Sequence, residues 1–115
     1  GSISWKTMMN HYKDQLLVCD FFTVETIFLK VVYVLIFIEL GTRRVHLAGV
    51  TSHPDGHWVA QQARQLIWQF EETESSFRCL IRDNDAKYTD AFDTVFESQQ
   101  THIIPTPLQA PNANA

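Results

Sequence analysis

The sequence predicts a single α/β domain built on a mixed five-stranded sheet, and three observations lead to this prediction. Three apolar, β-branched segments follow one another with short turns between them. A long segment with helical spacing of its apolar residues comes next. Two further apolar segments then alternate with a second helical segment. The order is therefore β-β-β-α-β-α-β, an antiparallel meander followed by parallel strands that are reached through helical crossovers.

The meander fills the first half of the chain. Its strands are predicted at 15–24, 28–40 and 44–50, which are rich in aromatic and β-branched residues. The second strand is apolar on both faces, which predicts a central place in the sheet. Between the second and third strands lies the turn "GTRR", in which Gly41 is able to take a positive φ.

A change of apolar spacing to three and four residues marks the helices. "TSHPDG" supplies start signals, with Thr51 or Ser52 near the cap, for a helix predicted over 54–72. "FRCLIRD" is predicted as the fourth strand, and a short helix over 90–99 and the strand "THIIP" follow it. We assign 1–4 to a cloning scar and leader, 5–104 to the domain and 105–115 to an extended, Pro-containing tail.

Composition and charge exclude several classes of protein. The 115 residues carry a net charge of −4 without a run of Lys or Arg, so no strong non-specific attraction to nucleic-acid phosphates is expected. The most apolar stretch is interrupted by Lys30 and ended by Glu39, well short of the roughly 20 residues needed to span a bilayer. The two cysteines lack motif spacing and no signal peptide is recognised, which predicts a cytoplasmic protein with reduced thiols and no membrane association.

Two carboxylates are the candidate site residues. Asp20 lies in the middle of the first predicted strand, and Asp83 lies where the fourth strand ends. If these strands are parallel neighbours, the two side chains face each other, an arrangement that is costly unless a divalent cation such as Mg²⁺ or Mn²⁺ lies between them. The alternative is that Asp20 sits at an exposed bend or sheet edge and "RDNDAK" is a solvated turn. Spacing alone leaves both interpretations open.

Four segments together resemble the integrase catalytic core of bacterial insertion-sequence transposases, in the retroviral integrase superfamily. They are "VCDFFTV", "ELGTRRVHLAGVTSHPDG", "LIRDNDAKYTDAF" and "TPLQAPNANA", so the resemblance covers nearly the whole chain from Trp5. It implies a ribonuclease H-like fold and a role in DNA integration or transposition in a bacterial cytoplasm. In that family two Asp and one Glu bind two divalent metal ions, so the resemblance implies Mg²⁺ (or Mn²⁺) as cofactor and DNA as partner.

The resemblance assigns roles to individual residues. The first acid matches Asp20 and the second matches Asp83, because the Asp-Asn pair of the family falls on Asp83 and Asn84. Asp85 stands where the family usually has Gly. The third acid, a Glu on a helix, would follow a Pro-x-x-Asn-type stretch that "PNANA" begins, and the sequence stops there. Glu97 comes too early to replace it. We therefore expect this 115-residue chain, truncated before the third acid, to have little or no strand-transfer activity, and its status as an enzyme stays uncertain.

Further polar residues are candidates for contact with DNA. They lie beside the acids or in the tail, and they are Arg82, Asn84, Lys87, Asn112 and Asn114. His53 and His57, four residues apart, are assigned to the start of a helix and not to a zinc site, since no second pair of ligands has matching spacing.

A non-catalytic function is the rival hypothesis. A chain without the final helices of the family would leave part of the apolar surface of the sheet uncovered, and such a surface favours self-association. On this view the protein is a remnant that acts as a dimeric nucleic-acid-binding or protein-interaction module. A homodimer is predicted in either case.

Overall fold

A computed structural model describes residues 5–107 of the chain. In chain order its elements are α1 (Trp5–Tyr12), a 3₁₀ turn (Lys13–Gln15), β1 (Leu16–Glu25), β2 (Val31–Glu39), β3 (Val45–Thr51), α2 (Gly56–Glu72), β4 (Cys79–Asp83), α3 (Asp90–Glu97) and β5 (His102–Thr106). From β1 onward this is the predicted order. α1 is not among the elements predicted from the sequence, although Ser4, a capping residue type, stands directly before Trp5.

The strands form one sheet in the order β3-β2-β1-β4-β5. β2 is antiparallel to both of its neighbours, and β4 is parallel to both β1 and β5. The mixed five-stranded sheet is therefore confirmed. The central strand is β1, so the prediction that β2 is central was wrong. One apolar face of β2 is explained by the helices that cover it, since Leu35 and Phe37 lie in the core beneath them. Its other face is also apolar.

Several boundaries differ from those predicted. β2 begins at Val31 because the preceding residues close a hairpin, in which the Thr26 amide donates to the Lys30 carbonyl (2.8 Å). α2 begins at Gly56, and its N-cap is Asp55 in place of Thr51 or Ser52. The Asp55 side chain accepts a hydrogen bond from the Trp58 amide (2.8 Å), which satisfies an amide that has no partner within the helix. β5 extends two residues into the segment assigned to the tail.

The β2–β3 turn does not use its glycine as predicted. Gly41 does not have a positive φ, and Arg43 takes the left-handed conformation instead (φ 64°). The Arg43 amide donates to the Glu39 carbonyl and closes the turn (2.7 Å). Glycine is needed at 41 for space, because a Cβ there would overlap with the backbone and side chain of Asp14.

Helices α2 and α3 pack against one face of the sheet, which we call the helix-covered face. Alternate residues of the strands, among them Leu17, Cys19, Leu35, Phe37 and Leu80, contact buried residues of both helices in a continuous core. Gly49 in β3 allows α2 to approach closely, since a Cβ there would lie 2.8 Å from the Trp58 ring. This face forms the dry core of the domain.

The opposite face of the sheet, which we call the open face, remains rich in exposed apolar side chains. The strand registers place Asp20, Phe22, Leu47 and Asp83 on it, together with the buried residues Leu16, Val34 and Ile81. Leu47 is 66% exposed, Val45 57%, Val50 53% and Phe22 47%. Apolar side chains exposed together on one face favour contact with another protein surface. No helix between residues 5 and 107 is long and apolar enough to cross a membrane.

Helices α2 and α3 are each followed by a residue in the left-handed conformation that is not glycine. After α2, Glu74 (φ 55°) precedes Ser75, whose amide donates to the Phe70 carbonyl (2.8 Å). After α3, Gln100 (φ 63°) precedes Thr101, whose amide donates to the Phe96 carbonyl (3.0 Å). These are Schellman endings, in which glycine avoids the steric cost of a Cβ.

We therefore expect Glu74→Gly and Gln100→Gly each to raise the free energy of unfolding by about 1 kcal/mol. Urea denaturation followed by circular dichroism measures this change. As a control, Gln65→Gly, an exposed position in the middle of α2, should lower the free energy of unfolding by about 1 kcal/mol. Destabilisation by both end substitutions would contradict the assigned helix endings.

Candidate functional site

The register between β1 and β4 determines where the two candidate acids lie. The paired residues are Leu16 with Cys79, Leu17 with Leu80 and Val18 with Ile81. Continued by two residues, this register places Asp20 level with Asp83. Residues at equivalent positions of neighbouring strands point to the same face, so both carboxylates belong to the open face. The predicted adjacency of the two strands is confirmed, and the metal-binding role of the acids stays a prediction.

Asp83 stands where β4 ends and a tight turn begins. It is half-buried, and its Oδ1 accepts a hydrogen bond from the Asp85 amide (2.9 Å). Oδ1 of Asp85 in turn accepts from the Lys87 amide (2.8 Å). On the other side of β4, Asp83 pairs with Thr106 of β5. The chain thus makes two successive turns, each closed by an Asp side chain that accepts from the amide two residues later. The Asp83 carboxylate stands at the end of β4, where the first of these turns begins.

Asp20 occupies an exposed position within β1. Its Oδ1 accepts a hydrogen bond from the amide of Phe21 (2.9 Å), while the neighbouring side chains Cys19 and Phe21 point toward the helix-covered face. Carboxylate oxygens of this kind are the ligands that Mg²⁺ and Mn²⁺ prefer, and the exposure of Asp20 leaves space for bound water. The two acids therefore fit a divalent metal ion.

The cations nearest to Asp83 along the chain are engaged elsewhere. The Lys87 ammonium lies 3.0 Å from Asp85 Oδ1 and 5.6 Å from the centre of the Phe21 ring. The hydrogen bond from the Lys87 amide, together with the ammonium, lowers the pKa of the Asp85 carboxyl. Arg82 is buried and pairs with Asp93. Lys87 and Arg82 therefore form their ion pairs with other acids, Asp85 and Asp93. A divalent cation would supply the positive charge that Asp20 and Asp83 need.

Cys19, which precedes Asp20 in β1, forms a buried pair with Tyr88 in the core. The Cys19 thiol donates to the Tyr88 hydroxyl (3.6 Å), and Tyr88 is only 7% exposed. Burial raises the pKa of both groups far above the ordinary values, and the charges of Asp20 and Asp83 raise them further. The two acids thus act on the same buried pair. Tyr88 is not among the residues predicted from the sequence; its signal there was an aromatic residue between two predicted elements.

The candidate DNA contacts have different surroundings. Asn84 is exposed beside Asp83, and Lys87 is half-buried. The Arg82 side chain lies on the helix-covered face, which favours a structural role over the predicted phosphate contact. Asn112 and Asn114 lie outside the described residues. Contact of these residues with DNA stays a prediction.

Other acids and histidines do not complete a metal site. No group of three or more His, Cys, Asp or Glu side chains within the described part of the chain is arranged to hold a metal ion. Glu97 is exposed at the end of α3, and His53 and His57 are exposed around the start of α2.

Comparison of structures, and not of sequences, relates this chain to known proteins. No family model matches the sequence, and no curated protein does. The magnesium complex of the HTLV-2 integrase catalytic core, in its dimeric form, superposes with a TM-score of 0.66 at 8% identity, covering 82% of this chain and 61% of that chain. The catalytic domain of Mos1 transposase with raltegravir and manganese gives 0.64 at 11% identity, covering 92% and 64%.

A third match is the intasome of simian T-cell lymphotropic virus in complex with the PP2A regulatory subunit B56 gamma. Its TM-score is 0.65 at 8% identity, and it covers 81% of this chain and 32% of that chain. The chain therefore spans between about a third and two thirds of the length of these structures. It has the ribonuclease H-like fold of integrase and transposase catalytic cores.

The alignment of the two acids leads to a prediction that needs no metal. In the presence of a chelator, Asp20→Asn and Asp83→Asn should each raise the midpoint of thermal unfolding by about 2–4 °C, the size expected of weak repulsion near a surface. The Asn side chain at 83 retains an oxygen that accepts from the Asp85 amide, so the turn is preserved. Differential scanning calorimetry measures the change.

The matched control is Glu25→Gln, which removes an exposed acid from the end of the same strand and should leave the midpoint almost unchanged. The gain at Asp20 and Asp83 should shrink in 1 M salt, which screens charges at the surface. A lower midpoint in both variants would mean that the two carboxylates do not repel each other.

Proposed function

We propose that this chain is part of the catalytic core of a DDE-type integrase or transposase, which acts on the phosphodiesters of DNA. The observation that carries the proposal is the β1–β4 register, which aligns Asp20 with Asp83 on the open face of the sheet. The fold, shared with integrase and transposase cores, supports it at a coarser level. The substrate is DNA, and the cofactor is Mg²⁺ or Mn²⁺.

The two acids have different roles in this proposal. Asp20, exposed within the central strand, is the shared ligand, and Asp83, held by its turn, is the second ligand. When bound, two divalent ions would activate the attacking water or 3′-hydroxyl and stabilise the leaving 3′-oxygen.

Residues 1–115 alone supply two of the three acids that such a site requires. Loss of one ligand weakens the binding of one metal ion more than that of the other. We therefore propose that this polypeptide by itself has little or no DNA-nicking or strand-transfer activity, while it retains weak binding of a single ion. Robust metal-dependent nicking of DNA by the purified 115 residues would contradict this part of the proposal.

A non-catalytic, dimeric interaction module is the second candidate function. The exposed apolar side chains of the open face favour it, because burial of such a surface against a second copy would stabilise a homodimer. On this hypothesis Asp20 and Asp83 bind no metal ion. The two candidates therefore differ in a property that is measured directly.

The decisive experiment is a titration of the ¹⁵N-labelled protein with Mg²⁺, followed by NMR of the backbone amides. We expect shifts confined to the surroundings of Asp20 and Asp83, because the ion contacts these carboxylates first. The same pattern should be absent in Asp20→Asn and retained in the control Glu25→Gln. Mn²⁺ should broaden the same amides through its unpaired electrons.

Localised shifts that survive Asp20→Asn would place the ion elsewhere and contradict the assigned ligands. No localised shifts at millimolar metal would leave the fold unaffected and favour the dimeric module. Sedimentation equilibrium of the same samples then measures whether the chain is a dimer.

A further inference from the structure

The hydrogen-bonded ladder between β1 and β4 ends before it reaches the acids. The last paired residues are Val18 and Ile81, and Asp20 and Asp83 each lie two residues farther along. β1 therefore does not fix the backbone at Asp83 directly. On its other side Asp83 pairs only with β5, a short strand at the edge of the sheet. The separation of the two acids must depend on additional contacts.

Arg82 supplies such a contact from the helix-covered face. Its Nε and Nη2 donate to the two carboxylate oxygens of Asp93 (2.9 and 2.7 Å), which is a bidentate, charge-assisted pair. The third nitrogen, Nη1, donates to the backbone carbonyl of Asp83 (2.8 Å). The Arg82 guanidinium therefore links Asp93 of α3 to the backbone carbonyl of the candidate ligand Asp83.

The contacts of Arg82 are held in a dry environment. The Arg82 side chain is 8% exposed and that of Asp93 20%. The hydrogen bonds that Arg82 donates to Asp93 raise the pKa of the guanidinium, and the Tyr88 ring lies 5.5 Å from its central carbon. An ion pair of this kind is rigid because few water molecules compete for its hydrogen bonds.

Helix α3 anchors the other end of the pair. Its N-cap Thr89 accepts a hydrogen bond from the Phe92 amide (3.4 Å), and Phe92 and Phe96 are fully buried in the core. Asp93 lies on this helix between them. Because α3 is fixed in the core, Asp93 holds the Arg82 side chain, and Arg82 in turn holds the Asp83 carbonyl.

We propose that Arg82 and Asp93 are positioning residues that hold Asp83 at the distance from Asp20 that a divalent cation requires. We call Arg82 and Asp93 together the clamp. This inference rests on the proposed function for its purpose, while the contacts of the clamp can be tested without metal. A buried ion pair is often replaceable by apolar residues without loss of stability, so its value here lies in the placement of Asp83.

The test measures amide hydrogen exchange by NMR in metal-free protein. The Asp85 amide, which donates to Asp83 Oδ1, reports the order of the turn. Arg82→Lys and Asp93→Asn should increase its exchange about tenfold, while amides of the central strands keep their rates. The double variant Arg82→Met with Asp93→Leu, which replaces the ion pair by apolar contacts, should show the same local increase with little change in the unfolding midpoint.

Glu39→Gln is the matched control, because it removes the pair with His46, which is also half-buried but lies in β2 and β3. It should leave exchange at Asp85 unchanged. Unchanged exchange at Asp85 in the three clamp variants would overturn the proposal. Equal acceleration throughout the sheet would also overturn it, since it would show a general effect on stability.

Mn²⁺ binding, followed by electron paramagnetic resonance, separates this inference from the proposed function. Clamp variants that retain the wild-type unfolding midpoint should bind Mn²⁺ about tenfold more weakly, which corresponds to a loss of about 1.4 kcal/mol. Equal affinity in wild type and clamp variants would overturn the positioning role. If the wild type binds no Mn²⁺, the proposed function fails, and the exchange rates still decide whether the clamp orders the turn.

Discussion

The parallel pairing of β4 with β1 is the interaction on which the rest of this structure depends. It joins the N-terminal hairpins to the second half of the chain, and a helix lies on each of the two connections that lead into β4 and β5. The same pairing sets the register that brings Asp20 level with Asp83. A shift of one residue would move one acid to the opposite face of the sheet, where helices exclude solvent.

The two faces of the sheet have opposite properties. α2 and α3 bury one face in a core of aromatic and aliphatic side chains, which provides rigidity. The other face carries both candidate ligands and a row of exposed apolar residues. The site therefore lies on a stiff support and remains accessible. Cys19 and Tyr88 belong to this core, in which the Cys19 thiol donates to the Tyr88 hydroxyl.

Charge is distributed so that each basic side chain near the acids has a different partner. Lys87 pairs with Asp85 in the turn, and Arg82 pairs with Asp93 on α3. Neutralisation of Asp20 and Asp83 is consequently left to a cation from solution in the proposed function. The pairs have a second effect, since both hold the segment after β4 in place around Asp83.

The sequence by itself determined the order of strands and helices from β1 onward and both candidate acids, because apolar periodicity, an acid within an apolar strand and an acid at a strand end are local signals. The resemblance carried by "CDFFTV" and "LIRDNDAKYTDAF" added the fold family. Only the tertiary structure decided that β1 is central, that space and not a positive φ requires Gly41, and that Arg82 turns inward to Asp93. Each depends on contacts between residues distant along the chain, whose energies do not appear in local sequence patterns.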